Sequence, residues 1–284
     1  MASIAKNVVT PQKRMRGLPI MSAALMNAKA PLAGGAFYAM FIAFVVGLLY
    51  PTLSSLNLSS YLASRGVQSL LGTGNVKIHD FSSFSALIAL ELYGSFYGLL
   101  FGSLVAYIAG AALPLTIENG TLDLALSRPM SRTRYYFELW ASTIVGGILL
   151  STLTIGAIWL CTLFVKNTNI DWQWLTITQL IEFAFFFFVA GIGMLLSTFL
   201  NASRAAGGAA VGIVFLAYVM NTLGGLSDKF KWLLKIEPFY YTPGVQALVL
   251  HDFTRWYPWV LVGAGLVCGF VGLIIFNKKD LPTV

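Results

Sequence analysis

The chain has 284 residues, of which 57% are apolar and 10% charged, with 18 basic against 11 acidic side chains and a net charge of +7. An ordinary soluble domain carries roughly 25% charged residues, so a soluble enzyme is excluded, and the wealth of aromatic and β-branched residues excludes a disordered chain. The class that remains is an integral membrane protein. In such a chain the positive excess bears on topology before nucleic acid, and no basic stripe interleaved with aromatics points to DNA or RNA.

The first thirty residues carry five positive charges (Lys6, Lys13, Arg14, Arg16, Lys29) and no acid. A segment such as Met15 to Lys29 suits an interfacial helix on the inner membrane surface. A signal peptide is the rival reading; the long apolar run that follows, without a clear cleavage site, favours a retained span. About 20 apolar residues cross the hydrocarbon core, and six runs are long enough. They lie at about Pro31 to Leu53, Phe81 to Leu113 (interrupted by Glu91), Leu139 to Val165, Trp172 to Leu200 (interrupted by Glu182), Ala205 to Leu226, and Trp256 to Phe276. None shows the ten-residue alternation of a barrel strand, so all six read as helices. The domains expected are a cytoplasmic N-terminal segment over 1–29, a single transmembrane domain over 30–277 and a cytoplasmic tail over 278–284.

Alternate connections collect eleven and seven of the Lys and Arg residues, the larger number on the side of the termini. By the positive-inside rule both termini are cytoplasmic. Tyr50, Trp172, Trp174, Trp256, Tyr257 and Trp259 then form a belt at the outer interface. The outer loop 54–81 is polar. The outer connection 227–255 is strongly apolar, and Pro238 and Pro243 interrupt it, so it reads as short broken helices that dip into the membrane or pack on the bundle. Cys161 and Cys268 sit in apolar runs as small hydrophobes, and no Cys/His spacing forms a metal site.

Motifs for chemistry are lacking. There is no Gly-Lys pair, hence no P-loop, and no HExxH or G-x-S-x-G. The densest polar stretch runs from Glu118 to Arg132. Gly120 permits a turn, and Thr121 can cap a short helix. Asp123 and Arg128 suit its dipole, and Leu122, Ala125 and Leu126 share one face. Pro129 stops the helix, and Ser131 can cap the next. Such a piece is either a plain connector or a rigid element that a soluble partner grips.

Glu118-Asn119-Gly120-Thr121-Leu122-Asp123-Leu124-Ala125-Leu126-Ser127-Arg128-Pro129-Met130-Ser131-Arg132 resembles the signature of ABC-2-type transporter permeases, E-x-G-T-L-(x)-x-L-L-S-R-P-I-S-R. Glu237-Pro238-Phe239-Tyr240-Tyr241 resembles that family's S-P-F-Y-Y segment, and Phe276-Asn277-Lys278-Lys279-Asp280-Leu281 its F-x-x-R-D-L ending. The chain departs from the family at Glu138-Leu139, where Gly-Lys is common, and at Glu237, where Ser is common. The resemblance implies an all-α membrane protein with a short cytoplasmic coupling helix between spans two and three. It implies a permease without its own ATPase site: two permease chains, identical or related, with two P-loop ATPase subunits that bind ATP and magnesium, exporting a drug, peptide or lipid. Glu118, Gly120, Thr121, Leu122, Asp123, Ser127, Arg128, Pro129, Ser131 and Arg132 would form the contact with the ATPase. No cofactor is expected on this chain. The alternatives are a permease-like subunit used in sensing or assembly, and an ATP-independent membrane enzyme.

Two acids fall inside spans, where an unpartnered charge is costly. Glu91 and Glu182 lie at matching depth, and Glu91 shares a face with Gly94, Gly98 and Gly102, a ladder suited to close helix contact. They read either as buried carboxyls bonded to a neighbouring Tyr or Ser, or as part of the substrate path. The pairs Gly208/Gly212 and Gly265/Gly269 read as packing.

Overall fold

The computed structural model describes residues 19–55, 83–127, 130–165 and 168–279. The loop expected over 54–81 lies almost wholly outside them, as do the charges Lys6 to Arg16, Arg128 with Pro129, and Asp280 with Leu281. Helices α1 (Pro19–Asn27) and α2 (Lys29–Ser55) are followed by α3 (Phe84–Glu91), α4 (Ser95–Glu118) and α5 (Thr121–Leu126). Then come α6 (Arg132–Phe164), α7 (Trp172–Phe199), α8 (Ser203–Leu226), α9 (Lys231–Leu234), α10 (Gly244–Leu250) and α11 (Tyr257–Lys278). No strand occurs among the described residues. Among the described residues six helices are long and apolar enough to cross a membrane: α2, α4, α6, α7, α8 and α11. The protein is a multi-pass membrane protein, as its composition requires.

Helix ends follow local chemistry. Ser83 accepts from Ala86 N at 3.2 Å, Ser131 from Arg134 N at 3.2 Å, and Asp171 from Gln173 N and Trp174 N at 3.0 and 3.2 Å. Each satisfies first-turn amides that have no partner inside their own helix. Gly120 adopts φ +64°, the left-handed turn its sequence position calls for.

The second apolar run is not one helix. It breaks at Leu92–Gly94, where Gly94 turns extended (φ −59°, ψ 177°) and starts α4. Tyr93 N still reaches back to Ala89 O at 3.1 Å, so α3 closes before α4 begins. The spanning part is Phe96–Glu118, and α3 stands off as a separate piece. The physical reason is local: an apolar run specifies burial, whereas the Gly94-Ser95 pair holds a helix weakly and lets the backbone leave it there.

Helix α7 is the hub and the most buried span, packing against α4, α6, α8, α10 and α11. Between helices in lipid there is no hydrophobic drive, so association depends on close approach and van der Waals contact. Gly191 of α7 lies against the backbone of Gly265 in α11, Gly193 against Ala109 and Gly110 of α4, and Gly110 against Ala206 of α8. Gly269 accommodates the Trp140 ring, whereas Gly208 and Gly212 face open space. The second of the two expected packing pairs therefore packs within the chain and the first does not.

The connection after α8 forms two short 3₁₀ turns, Asp228–Phe230 and Pro238–Tyr241, with α9 and α10 between and after them. It packs on the bundle, as its apolar composition anticipates: Leu234, Phe239, Val245, Ala247 and Leu248 are buried. Nearby, Trp174 stacks on His251 with centroids 5.1 Å apart.

Candidate functional site

Where α3 meets α4, α7 and the folded connection, a cavity of about 270 Å³ is left. Glu182, Glu237, Tyr93, Phe239, Tyr240 and Tyr257 are among its walls, and among the described residues no Lys, Arg or His lines it. Glu182 projects from the middle of α7 and is only 2% exposed. A side chain on Gly244 would place its Cβ 2.6 Å from Glu182 Oε1, so glycine at the start of α10 is what lets the carboxyl sit there. Glu237 is 1% exposed. Its Oε2 accepts from Phe239 N at 2.6 Å and caps the Pro238–Tyr241 turn. Its Oε1 is buried without a hydrogen-bond partner. Burial pushes the Glu237 carboxyl up to about 8, against the opposing pull of the Phe239 and Tyr240 amides.

Beside the cavity runs a buried polar chain. Tyr93 Oη donates to Gln179 Oε1 at 2.8 Å, Gln179 Nε2 donates to Tyr97 Oη at 2.8 Å, and Tyr97 Oη lies 3.2 Å from Thr154 Oγ1. It ties α4, α6 and α7 together by groups that satisfy one another, as a buried network must.

Glu91 does not join Glu182. It ends α3, is exposed, and is not among the residues lining the cavity. The shared face expected of Glu91, Gly94, Gly98 and Gly102 is cut by the break at Leu92–Gly94. The surviving part of the ladder meets rings, not a helix backbone. A Cβ on Gly98 would lie 2.6 Å from Phe239 Cε1, and Gly102 faces the Phe185 ring. Phe185 and Phe239 pack with centroids 4.9 Å apart. The glycines thus make room for Phe239, which pins the folded connection onto the bundle.

At the other end of the bundle lies the connection 118–132. Glu118 accepts from Ser203 N at 2.7 Å and from Ser203 Oγ at 2.6 Å, so it closes the N-terminus of α8. Thr121 Oγ1 donates back to Thr116 O at 3.1 Å; it seals the end of α4 and does not cap α5. Leu122 is buried and Ala125 packs against the core, so this face of α5 is turned to the bundle. Asn119, Thr121, Ser127 and Ser131 are exposed. Arg132 Nη1 donates to Lys279 O at 2.9 Å, and Lys279 Nζ donates to Thr198 O and Asn201 Oδ1 at 2.8 and 2.7 Å. Lys279 thereby latches α6 to α7. Of Asp123 only the backbone position in α5 is described.

Residues 89–277, about two thirds of the chain, match the family described as "Multidrug efflux system permease Rv1217c, C-terminal domain". The chain belongs to this multidrug efflux permease family. The membership agrees with the ABC-2-type permease resemblance and with six spans. No curated protein matches the chain.

Within this permease, three features of the site escape a reading of sequence alone. Gln179 lies three residues before Glu182, one helical turn along the same face, and an amide well inside so apolar a run, beyond the terminal Gln173, was the available signal. Glu237 stands out only as a departure from the family's serine; its burial depends on a fold of the connection that no periodicity announces. Glu138, the other departure, is 3% exposed, pairs with Arg134 Nε at 2.9 Å, and accepts from Ile20 N at 3.1 Å. It anchors the start of α1, a contact 118 residues away in sequence.

Proposed function

We propose that this permease is the membrane subunit of an ATP-driven exporter. Two permease chains, identical or related, pair with two separate P-loop ATPase subunits, which bind ATP and magnesium. The exported compound is amphipathic or hydrophobic. Membership of a multidrug efflux permease family carries the reading. It is supported by the exposed residues of the 118–132 connection, held between α4, α6 and α8 by Glu118 and Arg132. A polar ledge tied to the spans in this way suits transmission of a push between an ATPase and the spans.

Gly120→Val and Arg128→Glu test the contact. A β-branched residue at φ +64° costs roughly 1–2 kcal/mol and forces the turn to change. Both variants are expected to insert normally yet to lose co-purification with the ATPase and transport. Wild-type pull-down and transport in both would refute the coupling role.

Orientation is tested separately. The eleven-to-seven distribution of Lys and Arg favours a cytoplasmic terminal side. Single cysteines replace Ser131 and Asp228, both exposed, in a chain whose Cys161 and Cys268 are changed to Ser. With an impermeant thiol reagent on intact cells, position 228 is expected to react and position 131 to stay protected. The reverse pattern would invert the topology.

A further inference from the structure

We propose that the cavity around Glu182 and Glu237 binds a lipophilic organic cation with a flat aromatic body. The proposal deepens the export reading above and takes its transport role from it, but the binding itself requires no ATPase.

Charge comes first. Two carboxyls with 2% and 1% exposure face a cavity that no described Lys, Arg or His lines. A buried carboxylate without a countercharge is strongly disfavoured, so these groups either hold protons or receive a cation from outside. The neighbouring network does not neutralise them, because Tyr93, Gln179, Tyr97 and Thr154 bond to one another.

Geometry narrows the ligand. Glu237 Oε2 is engaged by Phe239 N, while Oε1 is buried without a partner. An acceptor is therefore left over in a site otherwise walled by rings. Tyr240 and Tyr257 fix each other, with hydroxyls 3.0 Å apart and centroids 5.3 Å apart. Together with Tyr93 and Phe239 they offer aromatic faces, which attract a cation as well as an apolar body. The volume of about 270 Å³ stands just below the usual range for small-ligand pockets, roughly 300–1,000 Å³. It suits a two-ring monocation and is too small for a peptide or a whole lipid. An anion would meet two acids, and an uncharged guest would not offset a carboxylate at Glu182 or Glu237.

Binding carries a proton signature. When a cation enters, a neutral carboxylic acid becomes a carboxylate paired with it, and the proton leaves to solvent. The titratable groups that face Glu237 are Glu182 from α7, Tyr93 from the α3–α4 break, Tyr240 from its own turn and Tyr257 from α11; α8 contributes only the amide Asn221. No imidazole or amine stands among them to take up the proton. Affinity therefore rises with pH up to about 8, where Glu237 ionises on its own.

The test uses the full chain purified in a neutral detergent and N-methyl-4-phenylpyridinium as probe. Its uncharged carbon isostere, 4-methylbiphenyl, serves as competitor. Saturable binding is expected, tightening between about pH 6 and pH 8, with proton release seen as a dependence of the calorimetric heat on buffer ionisation enthalpy. Glu182→Gln and Glu237→Gln should each weaken it about tenfold or more, since the attraction between a carboxylate and the pyridinium charge is lost. Glu91→Gln, outside the cavity, should not. Equal competition by the isostere, wild-type affinity in both cavity variants, or binding that ignores pH would each overturn the proposal. If the cavity variants fail to fold, the pH dependence and proton release of the wild-type chain still decide it. Cation binding without ATPase coupling would sink the export reading alone, and coupling without cation binding would sink this site alone.

Discussion

Gly191→Leu is expected to abolish a folded, monodisperse chain, whereas Gly208→Leu leaves it unchanged. A Cβ at Gly191 would stand 2.9 Å from Gly265 Cα, a separation real side chains do not tolerate. The obstacle is backbone, so no rotamer can yield. Overpacking a well-filled core typically costs 1–3 kcal/mol, occasionally more, and here the added atoms would separate α7 from α11. Since α7 also holds α4, α6, α8 and α10, that separation propagates through the whole bundle. The reciprocal change, Gly265→Leu, meets Phe188 Cα at 2.9 Å and should fail in the same way. Gly208 has nothing within 4 Å of where its Cβ would be. Size-exclusion profiles and thermal unfolding in detergent read the difference. A stable, monodisperse Gly191→Leu chain would show that the α7–α11 contact does not organise the fold.

The two glycine pairs also mark how far the sequence could be read. Span positions were legible because the bilayer imposes a length and an apolarity that each helix must meet. Four of the six spans fall within a few residues of where the runs place them, the third begins two turns earlier, and the connection after α8 folds onto the bundle as its composition demands. Small-xxx-small spacing, by contrast, states only that a helix face is smooth. Which neighbour covers it depends on the packing of other helices, and so Gly265/Gly269 pack while Gly208/Gly212 do not.

The same limit applies to the acids. Equal sequence depth placed Glu91 and Glu182 at one level of the membrane. The break at Leu92–Gly94 removed Glu91 from the interior, and the partner that shares Glu182's cavity, Glu237, comes from 55 residues further along. In the 118–132 connection the motif was clear, but the work of its residues divides. Glu118 and Arg132 brace helices against one another through Ser203 and Lys279, while Thr121, Ser127 and Ser131 stay exposed. A motif records that residues are needed without recording whether they face inward or outward.

Stability of the wild-type chain should fall as pH rises from about 4.5 to about 8, and Glu237→Gln should flatten that fall. The Glu237 carboxyl, 1% exposed, is pushed by burial from 4.5 to about 8. Within that window the folded chain holds a proton at this site that the unfolded chain has released, so the folded state binds more protons. Stability then decreases with pH at roughly 1.4 kcal/mol per unit from this one group. Below 4.5 both states are protonated and the contribution is constant; above 8 both are ionised and the full cost is reached. An amide keeps the acceptor for Phe239 N and cannot ionise, so the variant resembles the protonated acid at every pH. The gap in melting temperature between Glu237→Gln and wild type is thus expected to be small at pH 5 and large at pH 7.5. Other titrating groups cancel in that difference because both chains carry them. A gap that does not widen with pH would mean that Glu237 ionises freely, and that its burial under the Pro238–Tyr241 turn is not kept in solution.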